Sequence, residues 1–146
     1  MHTHRPLAAR AVLAFDALVF LGLGLWLTLD PAGALAGLQV APTGPLGLAE
    51  LRAMYGGLEL GFGLFCLHAA RQPAWVASGL WANVYVLGGL GLVRAHGIFL
   101  GDAAAPIMFF FLSTEVGAVL LNAWALRTLK RSAAAPGLPV GETRPA

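Results

Sequence analysis

The stretch "ELRAMYGGLELGFGLF", Glu50–Phe65, decides the fold. It is as apolar and glycine-rich as a membrane helix, yet Arg52 and Glu59 stand inside it. A charge at mid-bilayer costs about 2.5–3.5 kcal/mol even on insertion scales, so such residues face other helices, water or a ligand. The two lie seven positions apart, two helical turns, which is too far for a direct i to i+4 pair. Each therefore requires a partner elsewhere.

The rest of the chain explains what surrounds that stretch. Of 146 residues, 58% are hydrophobic and 11% charged, against about a quarter charged in ordinary globular domains. Four segments approach the roughly 20 apolar residues that cross a bilayer as helix: Ala9–Leu29, Ala49–Ala70, Trp75–Ala95 and Ala104–Leu126. The expectation is an all-α, four-helix transmembrane bundle over residues 1–131, followed by a disordered cytoplasmic tail at 132–146, whose composition offers no periodic apolar face. Arg5 and Arg10 before the first apolar run, with "ALA" at Ala34–Ala36, imitate a signal peptide. That run is longer than the roughly 7–15 residues of a leader core and carries Asp16, so it reads as a retained first helix, with cleavage the alternative.

Basic residues orient the bundle. Arg5, Arg10, Arg71, Arg127, Lys130, Arg131 and Arg144 fall on one side of four crossings, leaving only Arg52 and Arg94 at the opposite ends of helices two and three. Both termini are then cytoplasmic. The expected location is a bacterial inner membrane. "RQP" at Arg71–Pro73 allows a tight turn between the second and third helices. The apolar connection Asp30–Gly47 has room for a short helix over Pro31–Leu38. The net charge of +2 follows from these flanks and carries no nucleic-acid signal.

Each expected helix carries a polar residue in its middle third: Asp16, Glu59, Asn83 and Glu115. Arg52, Tyr55, Glu59 and Cys66 share a stripe on the second helix, Asn83 and Arg94 on the third, and Glu115 and Asn122 on the fourth. Arg52, Tyr55, Glu59, Asn83, Arg94 and Glu115 are therefore the candidate ligand or proton site, with no catalytic residue and no metal ligand set. Pairing between helices, or snorkelling of the two arginines to the interface, is the plainer account of the same charges. Gly57, Gly61, Gly63, Gly88 and Gly91 read as close-packing positions between the second and third helices. Cys66 is alone and reads as a small packing residue; His68 and His96 fall near opposite membrane faces. Ser113 and Thr114 are expected to bond their own helix backbone.

"LRAMYGGLELGFGLF", preceded by "DPAGALAGL" and followed by "GLVRAHGIFLGD" and "TEVGAVLLNAWAL", resembles a bacterial family of small four-helix membrane proteins bearing a domain of unknown function, grouped loosely with DoxX-like proteins. The resemblance runs from Leu7 to Arg127, and its most specific parts are Arg52–Glu59, Arg94–Gly97 and Glu115. It implies a four-helix bundle in the bacterial inner membrane and no activity. The wider DoxX-like group includes subunits associated with thiosulfate and quinone chemistry, but this chain has no cysteine pair for it.

Three functions follow as expectations. The first is a non-catalytic protein with an outward-facing polar pocket for a lipid-like or quinone-like ligand or a partner protein, with no other cofactor. The second is an oligomeric proton- or cation-coupled transporter using Glu59 and Glu115. The third is a purely structural or accessory membrane subunit in contact with lipid, alone or as a homo-oligomer.

Overall fold

The structure, a computed structural model, describes residues 4–101 and 104–133. The tail expected over 132–146 lies outside the described residues, except for 132 and 133, which end the last helix. Helix α1 spans His4–Leu29 and α2 spans Pro31–Leu35, continued by a 3₁₀ turn at Ala36–Leu38. Next, α3 (Pro45–Leu51), a π-helical segment (Arg52–Gly57) and α4 (Leu58–Arg71) follow without a break. A 3₁₀ turn at Pro73–Trp75 leads into α5 (Val76–Phe99), and α6 spans Pro106–Ala133. No strand occurs among the described residues.

Local chemistry accounts for these limits. Asp30 caps α2 by accepting a 2.9 Å hydrogen bond at Oδ1 from the Gly33 backbone N–H, and Pro31 takes the first helical position, where it loses no bond. Pro45 and Pro106 open α3 and α6 in the same way. Gln72 turns to an extended conformation ahead of Pro73, which ends the 45–71 run.

Helix α1 lies along the 45–71 run, α5 lies along α6, and α1 against α6 joins the two pairs. The first pairing is the tightest. A Cβ on Gly24 would sit 2.7 Å from the Leu60 backbone nitrogen, one on Gly63 2.9 Å from that of Leu21, and one on Gly56 2.9 Å from that of Thr28. The backbones touch at these three positions, as small residues permit. Gly57 and Gly61 of the run meet no atom of another helix there, while Gly88 and Gly91 face Val119 and Glu115 of α6. These contacts join α1 to the run and α5 to α6, while Gly79 of α5 lies against Ala69 of the run and Leu13 of α1. The π segment explains part of this: its wider turn rotates the face that α-helical counting assigns. Gly56, Gly63, Cys66, Ala69 and Ala70 are buried, while Arg52 and Tyr55 are turned out.

Toward the end that holds the 71–76 turn, Leu13, Ala69, Leu80 and Ala125 form a fully buried apolar layer. Arg10 pins that end, donating from Nε to the Ala70 carbonyl at 2.7 Å. At the other end, residues 37–39 meet residues 104–108 around an open depression.

Three helices are long and apolar enough to cross a membrane, over Leu7–Leu29, Pro73–Phe99 and Pro106–Arg131. Their large side chains point outward, among them Leu18, Leu92, Val93 and Leu120.

Gly24→Ala should force α1 off the 45–71 run and cost about 1–3 kcal/mol, the scale of overpacking a close contact. Gly61→Ala, which enters open space, should be neutral or stabilise by up to about 1 kcal/mol through helix propensity. Thermal unfolding of both variants in one detergent checks the contrast.

Candidate functional site

The strongest polar contact joins α5 to α6. Glu115 Oε1 accepts from Arg94 Nη2 at 2.7 Å and from Nε at 2.9 Å, and Nε also reaches Oε2 at 3.0 Å. Glu115 is buried, and its partner is partly so. Gly91 of α5 packs against Glu115, where a Cβ would lie in ordinary contact at 3.6 Å from Oε2. The other edge of the guanidinium is placed differently. Its Nη1 lies 3.5 Å from Met108 Sδ, and its central carbon sits 5.0 Å from the centroid of the Phe111 ring. Met108, Phe111 and Glu115 follow a 3, 4 spacing on α6, one stripe that holds charge, ring and thioether against one arginine.

Arg52 does something else. Its Nε donates to the Thr28 carbonyl at 3.1 Å, in the last turn of α1. Arg10 does the reverse, donating to the Ala70 and Arg71 carbonyls at the end of α4. Each member of this antiparallel pair thus lends an arginine to the unsatisfied carbonyls at the end of the other. Tyr55 is 46% exposed. Glu59 packs against Gly24, and its Oε2 is buried with no hydrogen-bond partner among the described residues. No hydrogen bond or ion pair among the described residues joins Arg52, Tyr55 or Glu59 to Arg94 or Glu115.

Asn83 is fully buried and lies apart from Arg94. Its amide donates to Cys66 Sγ at 3.3 Å and to the Gly79 carbonyl at 3.0 Å. The thiol that reads in sequence as apolar filling is thus a hydrogen-bond partner. Asp16 accepts a 3.0 Å hydrogen bond at Oδ2 from Asn122, whose amide also donates to the Ala118 carbonyl at 3.0 Å. Sequence phase aligned Asn122 with Glu115 but did not pair it with Asp16, because a polar residue's depth is countable while its facing neighbour depends on helix order. Ser113 and Thr114 donate to the Phe110 and Phe111 carbonyls, each at 2.7 Å.

The open depression has a volume of about 390 Å³ and is lined by Gly37, Leu38, Gln39, Ala104, Ala105, Ile107 and Met108. Met108 is shared between this wall and Arg94. Among the described residues no three His, Cys, Asp or Glu side chains gather as a metal site.

Long apolar helices, an apolar exterior and a buried ion pair between helices define a helical protein compatible with a membrane. The chain belongs to the DUF4345 family, a domain of unknown function, whose family model matches residues 8–126. No curated protein and no solved structure matches it.

Arg94→Ala or Glu115→Ala alone should cost about 3–5 kcal/mol, because each strands a charge in a low-dielectric interface. The double variant should cost little more than either single one. Denaturant titration of the four proteins in detergent measures that coupling.

Proposed function

We propose that the protein is a small integral membrane protein, probing the outer leaflet with a polar pocket that takes a lipid-like or quinone-like molecule. The 45–71 run supplies a fourth crossing. At about 1.5 Å per residue its 27 residues extend roughly 40 Å, more than a hydrocarbon core of about 30 Å. Four crossings leave Arg10, Arg71, Arg127, Lys130 and Arg131 on the cytoplasmic side, with both termini. The depression between residues 37–39 and 104–108 then opens outward.

One observation carries the ligand reading. The Glu115 carboxylate occupies one edge of Arg94, while Nη1 is left against Met108, at the wall of the depression. A guanidinium held in place by a buried acid is a preorganised donor for a carbonyl or anionic head, and the side chains of Leu38, Ile107 and Met108 in the wall suit the body of an amphipathic molecule. Of the six site residues expected from sequence, Arg94 and Glu115 form the centre of this reading. Arg52 instead bonds the end of α1, and binding chemistry without catalysis is the role proposed.

Native mass spectrometry of protein extracted from its own membrane tests the reading. A discrete small molecule should accompany the wild type and leave with both Arg94→Gln and Gly37→Trp, the latter filling the depression without touching the ion pair. Bulk phospholipid alone in all three would sink it. For topology, Gln39→Cys should react with an impermeant maleimide on intact cells, and Lys130→Cys only after lysis; the reverse pattern would invert the bundle.

A further inference from the structure

A second polar cluster lies away from Arg94, and one residue from each helical partner contributes to it. The register that sets Gly24 against Leu60 and Gly63 against Leu21 brings Cys66 level with Leu18, two positions from Asp16, and Ala17 and Cys66 share one buried cluster. The register that sets Gly91 against Glu115 and Gly88 against Val119 brings Asn83 level with residues 123–124, within one turn of Asn122. Asn122 bonds Asp16 directly, and Asn83 bonds Cys66. All four are buried, with Asp16 4% exposed and the other three 0%.

This level is closed on both sides. Leu13, Ala69, Leu80 and Ala125 each stand three residues from one of the four, a single turn toward the 71–76 end, and all are fully buried. On the other side Phe20 and Phe62 meet edge to face at 4.8 Å, with Leu87 packed against the same cluster.

The chemistry inside is one-sided. Both hydrogens of the Asn122 amide are spent, on Asp16 and Ala118, and both of the Asn83 amide, on Cys66 and Gly79. What remains is the two amide oxygens, buried and without a partner among the described residues, and a carboxylate with one donor. Apart from the Cys66 thiol, no other titratable side chain among the described residues stands at this level. Glu59 and Glu115 lie two turns away toward the depression, and Arg10 lies nearly two turns the other way, bonded to Ala70 and Arg71. A buried carboxylate among surplus oxygens lacks a positive charge.

We propose that Asp16, Asn83 and Asn122 form an occluded site for one positive charge, a proton on Asp16 or a small alkali cation held by the three side-chain oxygens. Cys66 orients the Asn83 amide. The site is separate from the Arg94 pocket and does not depend on it.

The test uses the full chain purified in detergent. Thermal stability is measured from acidic to alkaline pH in sodium, potassium and N-methylglucamine buffers of equal ionic strength, for wild type, Asp16→Asn and Asn83→Ala. Wild type should gain several degrees on acidification or, saturably, on adding sodium, and that gain should vanish in Asp16→Asn, whose neutral amide needs no counter-charge. Asn83→Ala, which keeps the acid and removes one oxygen, should show a weakened gain, and it carries the test if Asp16→Asn fails to fold. A protonated-carboxyl infrared band lost in Asp16→Asn identifies a proton, and its displacement by sodium identifies a cation. Indifference of the wild type to both, or an undiminished response in the two variants, overturns the proposal.

Discussion

The contact on which the molecule depends is the backbone-to-backbone approach of α1 and the 45–71 run at Gly24, Gly56 and Gly63. It fixes the register of the two helices, and much else follows from that register. Arg52 comes to the last carbonyls of α1, Arg10 to those of α4, and Cys66 to within one turn of Asp16. In an apolar surrounding, water does not drive helices together, so close packing and interhelical hydrogen bonds must. Three glycine positions make that packing available, and the two arginines hold its ends. The run bends its own geometry to achieve this, with a π segment at Arg52–Gly57 re-aiming the side chains that precede it.

That segment also marks where sequence reading stops. Apolar length was countable, and three helices are long and apolar enough to cross a membrane, over Leu7–Leu29, Pro73–Phe99 and Pro106–Arg131. The resemblance to a family of unknown function agrees with the family model that matches residues 8–126. A stripe of Arg52, Tyr55, Glu59 and Cys66 assumes 3.6 residues per turn throughout, and one wide turn separates its first members from its last. Cys66 ends buried while Arg52 and Tyr55 end exposed. No proline announces that turn; only the Gly56–Gly57 pair hints at it. Pairings between helices were less legible still. Depth placed Glu115 and Asn83 in the interior, but which arginine faces Glu115, and that Asp16 meets Asn122 across 106 residues, follow from helix order.

The charges inside the molecule divide by the kind of partner they have. Arg10 and Arg52 face backbone carbonyls, whose partial charge at a helix end asks for a cation and little else. Arg94 faces a full carboxylate through two of its nitrogens, with a ring on one side and a thioether beyond. An isolated carboxylate at the Glu115 position would be costly to bury, and an isolated guanidinium at Arg94 hardly less so. Together they form a dipole whose cationic end is partly exposed and whose anionic end is buried in the α5–α6 contact.

The opening question about Arg52 and Glu59 therefore has two separate answers. Arg52 is satisfied by its position, since the end of α1 supplies the acceptor that its own helix lacks. Glu59 has no such donor, and it sits where α1 comes closest, against Gly24, with one oxygen buried. A glycine there leaves space for the carboxyl stem and brings no hydrogen bond. The residue that decides the run's character is thus held by packing alone, in contrast to Glu115, which packing and an arginine hold together. Two acids at similar counted depth differ because one faces a helix that offers a side-chain donor and the other faces a helix that offers only backbone.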